Sequence, residues 1–506
     1  MNFFTQLANS TKVMMTFIGS DIPEVFIPKG RGAFLFSLFF NKKKNKDVIG
    51  KSFSSTLTKL GPSYIKLGQF LATRPDIIGL NAAKELSILQ DEVPAFARKE
   101  AEKIISDEFG LSVKDLFIEF DNVVAAASIA QVHKAKIEHD GKEIHVAVKV
   151  LRPGIEDKFN RDFQVFYFIS GLLERFNSSL KRLKFAESIE TLEKSVDLEM
   201  DLRLEAAAIS EMTDNLIDSD EFILPNVFWD KTSKKVLTTE WIDGISVGNK
   251  QALIDKGYDL GNIARIIIQS FLTQALRHGF FHADMHPGNL FINNDGKLVM
   301  VDFGIMGRLG NKEQNFLAEI LWGLITRDYK RTAEVHFDAG YVSDKSRMDE
   351  FSQALRSIGE PLTGRNASQI SMARVLAQLF DITEQFDMKT RPELLLLQKT
   401  MVVTEGVARS LDPNLNMWDI SKPIVSDWMS NTLSPAEKFK DTMNSVSGLG
   451  NMISQIPNII DKAEKTTTDI ISILDRTAEN KNKRDFKRYK YIILIISALI
   501  VLTILT

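Results

Sequence analysis

Three polar residues in the segment 280–305 have the spacing that a phosphoryl-transfer site requires. Asn289 follows Asp284 by five positions, and Asp302 opens a DFG triplet thirteen positions after Asn289. In such sites a loop aspartate accepts the proton of the acceptor hydroxyl, while an asparagine and a second aspartate hold Mg²⁺. The spacing therefore predicts a nucleotide and metal site, with Asp284 as the catalytic acid and Asn289 and Asp302 as metal ligands.

A β-hairpin would bring these residues together. The segments LFI and LVMV have the composition of short strands, and Asn294, Asp295 and Gly296 between them are typical of a tight turn. Such a hairpin returns the chain, so we expect Asp302 to lie beside Asn289 at one of its ends.

The segment 116–150 predicts the strands of a small lobe. It ends in VAVK, the third-strand signature of kinases, whose lysine (here Lys149) contacts nucleotide phosphates. Where a kinase has a glycine-rich loop, this chain has AAAS, and the Cβ of alanine restricts the backbone that closes over phosphates. The positions of this expected nucleotide loop are Ala125, Ala126, Ala127 and Ser128.

Acidic residues follow on a stretch with helical patterning, at Glu199, Asp201 and Glu205. Asp201 and Glu205 are one helical turn apart. Acidic residues on helices are usually solvated, but one of these three is a reasonable partner for Lys149, as in the Lys–Glu pair of kinases.

A hinge and a helical lobe complete the predicted pocket. Glu240-Trp241-Ile242 fits a hinge that presents backbone groups to adenine, so Glu240 and Ile242 are candidate nucleotide contacts. The apolar segment 248–280 predicts the central helix of a second lobe. Residues 48–115 predict amphipathic helices, on which Lys66 and Gln69 share a face; by themselves these two residues indicate only a polar helix surface.

Composition excludes several classes of protein. A hydrophobic fraction of 44%, a charged fraction of 25% and a net charge of −3 are those of a globular chain that does not bind nucleic acid. With no cysteine, disulfides, thiolate metal sites and a cysteine nucleophile are excluded. The first residues lack the pattern of a secretory signal.

The end of the chain predicts a membrane anchor. Residues 491–506 are uncharged and mostly apolar, and residues 481–490 before them carry six basic residues and one acidic residue. As a helix the segment would span roughly 24 Å, against roughly 30 Å of hydrocarbon. A buried terminal helix is the alternative. The basic residues favour a cytoplasmic location for the bulk of the chain.

The assembled motifs resemble the UbiB/AarF family of atypical protein-kinase-like proteins over roughly residues 50–410. They stand in order as LGPSYIKLGQFLATRPD, AAASIAQVHKA, VAVKVLRPG, LEMDLRLEA and HADMHPGNLF…VDFG. The resemblance implies an α+β, bilobed kinase-like fold. The expected divisions are a helical N-terminal extension carrying KLGQ (1–115), a β-rich lobe with a helical insert (116–245, insert 152–190), a helical lobe (246–430), an amphipathic tether (431–490) and a membrane anchor (491–506).

The resemblance also implies roles for residues that the pattern alone leaves open. Lys149 would bind phosphates and pair with Glu205, and AAAS would replace the glycine loop. Lys66 and Gln69 would fold over the pocket and meet Glu199 and Asp201, in a regulatory role. The implied ligands are ATP and Mg²⁺, and the implied activity is that of an ATPase or small-molecule kinase that supports ubiquinone or related prenylquinone biosynthesis at a bacterial inner membrane.

The implied partners are membrane lipids, quinone-biosynthesis enzymes or prenylquinone intermediates, and a second copy of the chain.

Two other functions stay open. A nucleotide-switched membrane scaffold would keep the pocket without turnover, and a small-molecule kinase of the aminoglycoside or choline type would share the HxDxxxxN layout. A metal site at His278, His282 and His286 is disfavoured because Pro287 breaks the helix that this spacing needs.

Overall fold

The computed structural model describes Thr16 and residues 49–432. Gaps lie at 73, 87–88, 90–92, 177–183, 218 and 343–346, and between 363 and 391 only residues 378, 382 and 386 are described. The chain divides into two compact units, Met1–Trp428 and Met429–Thr506. The membrane anchor predicted at 491–506, and all but the first two residues of the tether, lie outside the described residues. Among the described helices, none is both long and apolar enough to cross a membrane.

Short helices precede the first sheet. They are α1 Ile49–Leu60, α2 Pro62–Ala72, α3 Pro75–Ile78, α4 Leu80–Leu86, α5 Arg98–Phe109 and α6 Val113–Leu116. Gly61 separates α1 from α2 with a φ of +100°, which glycine adopts without strain. Pro62 then opens α2, where a missing N–H costs nothing. The KLGQ motif therefore lies on its own helix, α2, as the helical patterning of this region predicts.

An antiparallel sheet follows, with strand order β1-β2-β3-β5. Its strands are β1 Glu119–Ala126, β2 Ala130–His139, β3 Lys142–Leu151 and β5 Val236–Glu240. Asp140 and Gly141 both have positive φ, as a tight hairpin turn requires, and they form the turn between β2 and β3. Alternation along β3 buries Val146, Val148 and Val150 against α5 on one face and leaves Lys149 on the other.

Helices α7 Ile155–Phe176, α8 Phe185–Glu199 and α9 Leu202–Asn215 come between β3 and β5. The pattern of the acidic stretch suggested a single helix. The structure instead has two helices, because α8 ends at Glu199 and α9 begins at Leu202. Asp201 caps α9 with its side chain, and the Leu202 N–H donates to the Lys234 carbonyl at 3.0 Å. Glu199 and Glu205 therefore belong to different helices.

The second lobe is mainly helical. Its helices are α10 Lys250–Asp255, α11 Leu260–Leu272, α12 Asn311–Thr326, α13 Tyr329–Asp338, α14 Met348–Leu362, α15 Pro392–Leu411 and α16 Met417–Thr432, with a π-helix at Thr273–His278 and a 3₁₀ turn at Pro287–Asn289. Another 3₁₀ turn, Trp229–Lys231, precedes β5 in the first lobe. Helix α11 is the predicted central helix, with Ile267, Ile268 and Phe271 fully buried. The small β-rich lobe and the larger helical lobe confirm the predicted bilobed fold.

Two small sheets belong to the second lobe. The strands are β4 Phe222–Ile223, β6 Gly244–Ser246, β7 Phe280–His282, β8 Leu290–Asn293, β9 Leu298–Met300 and β10 Met306–Arg308. One sheet has the order β4-β9-β8-β6, and β10 pairs with β7. Strands β8 and β9 form the hairpin predicted around Asp295 and Gly296. Beyond it, the Val301 N–H donates to the Asn289 carbonyl at 3.0 Å, so the hairpin brings the residue before Asp302 to Asn289, as expected.

Candidate functional site

A largely apolar cleft of about 450 Å³ lies between the first sheet and the β8–β9 hairpin. Its apolar lining includes Val132, Leu237 and Phe291. The residues predicted from sequence that line it are Ala125, Ala126, Ala127, Lys149, Glu205, Glu240, Ile242, Asn289 and Asp302. Nine positions chosen from separate motifs therefore meet in one cleft.

Lys149 joins two carboxylates across this cleft. Its Nζ lies 2.8 and 2.9 Å from the two carboxylate oxygens of Glu205 and 2.8 Å from Oδ1 of Asp302. Lys149 comes from β3, Glu205 from α9 and Asp302 from the segment after β9. The ammonium group thus links the β-rich lobe to the helical lobe, in the pairing that the sequence predicted for Glu205.

Burial and charge shift the pKa values of these three groups in different directions. Burial opposes the charge of Lys149, but Asp302 and Glu205 outweigh it and raise the pKa of the lysine. Burial raises the pKa of Glu205 to about 7, against the attraction of Lys149. Burial also opposes the charge of Asp302, yet Lys149 outweighs it and lowers the pKa of Asp302. At neutral pH Lys149 and Asp302 are charged, while Glu205 titrates.

Asp302 has an unusual backbone. Its φ is +61°, in the left-handed region that few residues other than glycine adopt, although aspartate tolerates it better than most. Its side chain is 43% exposed, compared with 7% for Glu205 and 14% for Lys149. The turn therefore holds an accessible carboxylate in the cleft.

Asn289 orients Asp284. The Asn289 Nδ2 group donates to Oδ2 of Asp284 at 3.0 Å and to its backbone oxygen at 3.1 Å. Because the amide nitrogen is used in this way, the amide oxygen of Asn289 is the atom left to act as a ligand. Asp284 is half-buried beside the cleft and is not one of the residues that line it.

His282 has a structural role that sequence reasoning missed. Its buried ring accepts from the Asp284 N–H through Nδ1 at 3.1 Å, so Nε2 carries the proton and donates to the Val301 carbonyl at 3.1 Å. Burial lowers the pKa of His282, which favours this neutral tautomer. Both ring nitrogens are engaged, so the alternative histidine metal site is not formed here. Among the described residues there is no group of three or more acidic or histidine side chains that could hold a metal.

The hinge residues line the cleft, and their neighbours hold them in place. Glu240 accepts through Oε2 from the Asn226 side chain at 2.8 Å. The Lys134 ammonium lies 4.7 Å from the centroid of the Trp241 ring, and the indole N–H of Trp241 donates to Asp243 at 3.1 Å. The Trp241 N–H donates to the His145 carbonyl, which ties the hinge to β3.

The alanine loop departs from expectation at Ser128. Strand β1 continues through Ala126, and the Ala127 N–H donates to the Ala130 carbonyl at 2.8 Å, which closes a tight turn. Ser128 lies inside this turn with 0% exposure, and its hydroxyl has no hydrogen-bond partner among the residues that the structure describes. Ser128, which the sequence predicted as a nucleotide contact, therefore does not line the cleft, while the three alanines do.

The KLGQ helix meets only part of the predicted acidic pair. Lys66 Nζ lies 2.6 Å from Oε2 of Glu199, and both side chains are largely buried. Gln69 Nε2 contacts the Leu89 carbonyl at 3.5 Å. Asp201 does not contact Lys66 or Gln69. As the N-cap of α9 it points at the first turn, where its carboxylate pairs with Arg203 at 2.6 Å.

Family models match both lobes. The ABC1 atypical kinase-like domain matches residues 88–336, and the UbiB helical domain matches residues 355–416. A probable protein kinase UbiB from Histophilus somni is 36% identical over 472 residues, which cover 92% of this chain and 87% of that protein. The chain belongs to the ABC1/UbiB family of atypical kinase-like proteins. A second UbiB, from Marinobacter nauticus, is 37% identical over 80% of this chain and 75% of its own.

Among solved structures, that of Rv3197 from Mycobacterium tuberculosis in complex with erythromycin matches 72% of this chain and 93% of its own. It does so at 23% identity with a TM-score of 0.47. Membership of the ABC1/UbiB family agrees with the predicted resemblance, and it favours an atypical kinase-like protein over the aminoglycoside or choline type of kinase.

Proposed function

We propose that this ABC1/UbiB protein binds Mg-ATP in the cleft and uses it at a membrane to support ubiquinone or related prenylquinone biosynthesis. The observation that carries the proposal is the position of Lys149, whose ammonium contacts Glu205 and Asp302 at hydrogen-bond distance inside an apolar cleft. A cation held between two carboxylates at the junction of two lobes is the arrangement that positions phosphates in kinases.

The residues present fit a magnesium ion. Mg²⁺ prefers oxygen ligands and is often held by one or two side chains together with substrate phosphates. Asp302 offers an accessible carboxylate, and Asn289 offers the amide oxygen that its contact with Asp284 leaves unused. When bound, the ion would neutralise phosphate charge; the chain itself contributes the two oxygens.

Each remaining residue has a distinct part in the proposed reaction. Lys149 exchanges Asp302 for a nucleotide phosphate and keeps Glu205 as its partner. Asp284, held by Asn289 and His282, accepts the proton of the attacking water or hydroxyl. Ala126 and Ala127 cover the phosphates, and the hinge backbone at Glu240 and Ile242 receives the adenine.

The acceptor that we propose is water or a small membrane-resident molecule. We infer that the KLGQ helix, which is held by the Lys66–Glu199 ion pair, would obstruct the approach of a peptide substrate. The basic residues at 481–490 and the apolar segment 491–506 support a location at the cytoplasmic side of a membrane, and the named UbiB relatives come from bacteria.

ATP hydrolysis by the purified full chain, with and without liposomes, tests this function. We expect Asp284→Asn to lower the hydrolysis rate by about 10²-fold or more, because it removes the proton acceptor. Equal rates in the two proteins would remove Asp284 from the chemistry. Nucleotide binding without measurable hydrolysis in either protein would favour the scaffold function instead.

Asp302→Asn tests the metal assignment separately. The variant keeps the size of the side chain but removes the charge that a divalent ion requires, so we expect Mg²⁺-dependent thermal stabilisation by ATP to disappear. Stabilisation as large as that of the parent protein would contradict the role of Asp302 as a metal ligand.

A further inference from the structure

Arg152, the residue after β3, contacts two segments of the chain at once. Its guanidinium group donates to the Ala127 carbonyl from Nε at 3.0 Å and from Nη2 at 2.7 Å. Nη1 donates to the Pro94 carbonyl at 2.9 Å, and Nη2 also donates to the Val93 carbonyl at 3.0 Å. Four of its five N–H groups are thus used on three backbone oxygens.

On one side these contacts hold the alanine loop. The backbone N–H of Arg152 donates to the Ile129 carbonyl at 2.8 Å, while its side chain binds the Ala127 carbonyl. The two carbonyls flank Ser128, so one residue secures both ends of the turn. Because Ala127 lines the cleft and Arg152 does not, the arginine acts on the cleft through the loop.

On the other side these contacts hold the linker 93–97 that precedes α5. The guanidinium lies 5.8 Å from the ring centroid of Phe96. The fully buried side chain of Gln131 binds the same linker, accepting from the Phe96 N–H at 3.0 Å and donating to its carbonyl at 3.3 Å. Two side chains therefore bind the linker to the sheet: that of Gln131, near the start of β2, and that of Arg152, just after the end of β3.

The KLGQ helix contacts Leu89, which precedes this linker in the sequence. Gln69 donates to the Leu89 carbonyl, and Gly68 packs so closely that a Cβ there would lie 2.6 Å from the Leu89 side chain. Leu89 precedes Val93 by only four residues. The contacts of the KLGQ motif thus end at Leu89, and those of Arg152 begin four residues later at Val93 and lead to Ala127.

We propose that Arg152 is a positioning residue that clamps the alanine loop to the linker 93–97, so that the two segments open and close together. Its relevance to nucleotide affinity rests on the function proposed above, because Ala127 would then cover the phosphates. Only a planar guanidinium can donate hydrogen bonds to the carbonyls of both segments, since the three donors of a lysine all lie on one nitrogen atom.

Hydrogen–deuterium exchange on the full chain tests the clamp with Arg152→Lys. We expect amide exchange to become about tenfold faster in both 93–97 and 125–131, as expected if roughly 1.4 kcal/mol of local stability is lost, and to be unchanged in β8 and β9. Arg98→Lys is the matched control, because the contacts of Arg98 with described residues are its ion pair with Glu102 and its position over the Phe120 ring, neither of which involves the alanine loop.

Faster exchange in only one of the two segments would overturn the clamp, as would parent-like exchange in both. An increase of equal size in β8 and β9 would show a general loss of stability and would also overturn it. In a second measurement, the affinity for ATP should fall about tenfold in Arg152→Lys and stay unchanged in Arg98→Lys. If the parent protein binds no ATP, the proposed function fails, whereas coupled exchange would still support the clamp.

Discussion

Glu205 differs from an ordinary carboxylate because it is 7% exposed and its pKa is raised to about 7 from 4.5. The folded chain therefore binds this proton more tightly than the unfolded chain does, and the free energy of unfolding falls as pH rises from 4.5 to 7. The raised pKa of Lys149 makes the free energy of unfolding depend on pH only above pH 10.5, and the lowered pKa of Asp302 does so only below pH 3.8. Neither changes stability between pH 5 and 8.

Glu205→Gln should remove this pH dependence. Buried histidines with lowered pKa values act in the opposite direction in the same range, so the informative quantity is the difference between parent and variant. We expect the unfolding free energy of the parent, relative to the variant, to fall by about 2 to 3 kcal/mol between pH 5 and 8. Chemical denaturation at several pH values measures it, and Glu138→Gln on the exposed end of β2 controls for loss of a surface carboxylate. A difference that does not vary with pH would show that Glu205 does not titrate in this range.

At the scale of residues, sequence patterns predicted contacts that lie close to recognisable motifs. VAVK and DFG mark Lys149 and Asp302 because their chemistry requires these residue types. The environments of Ser128 and Asp201 could not be predicted, because both depend on where an element ends. The Leu202–Lys234 hydrogen bond that starts α9 joins residues 32 positions apart, and local periodicity carries no information about it.

At the scale of elements, the KLGQ helix α2 depends on a close approach at Gly68. A Cβ there would lie 2.6 Å from Leu89 Cδ1 and 2.7 Å from Leu57 Cδ1, and both leucines are buried. Gly171, on α7, is also helical, but apart from its own helix backbone and chain neighbours no atom of the described residues lies within 4 Å of the position of its Cβ. The two glycines therefore separate the effect of packing from that of helix propensity.

We expect Gly68→Ala to lower the free energy of unfolding by about 1 to 3 kcal/mol, because the leucine side chains must move from a packed arrangement. Gly171→Ala should raise it by up to about 1 kcal/mol, since alanine loses less backbone entropy in a helix. Denaturant unfolding of the two variants measures both. Equal effects of the same sign would contradict the close approach at Gly68.

The hairpins could be predicted because their turns need residues that tolerate positive φ, such as Asp140-Gly141. The π-helix Thr273–His278 could not. Apolar residues at helical spacing are compatible with bonds to the fourth or the fifth residue, and the wider turn is stabilised by tertiary contacts. Gln274 in this turn accepts from the His282 N–H at 2.9 Å, which connects it to the loop that carries Asp284.

At the scale of the whole molecule, the two lobes meet through charged side chains. Besides the contacts of Lys149, Arg308 on β10 forms a bidentate ion pair with Glu211 on α9 and lies over the Phe280 ring. The bilobed architecture could be predicted from the order of strand and helix patterns. The pairing across the lobes could not, since it joins residues 97 positions apart without a shared motif.

The segment 491–506 gives a prediction for the location of the molecule. Replacing Ile496 and Leu499 by aspartate in the full chain puts two charges into an apolar segment, and each charge costs roughly 2.5 to 3.5 kcal/mol at the centre of a bilayer. We expect the variant to move from the membrane pellet to the supernatant on ultracentrifugation. Ile496→Leu with Leu499→Ile keeps the hydrophobicity and should stay in the pellet. Aspartate variants that also stay there would contradict the anchor.

The contact between Lys149 and Asp302 also has a consequence for the order in which ligands arrive. The Lys149 ammonium group is already bound to the Asp302 carboxylate. Because both groups belong to one chain, the lysine has a high effective concentration at this site, and a free ion in solution must compete with it. Free Mg²⁺ should therefore compete poorly for this site. A nucleotide phosphate gives the lysine another anion and releases Asp302, so the proposed reaction would begin with binding of the metal and the nucleotide as one complex.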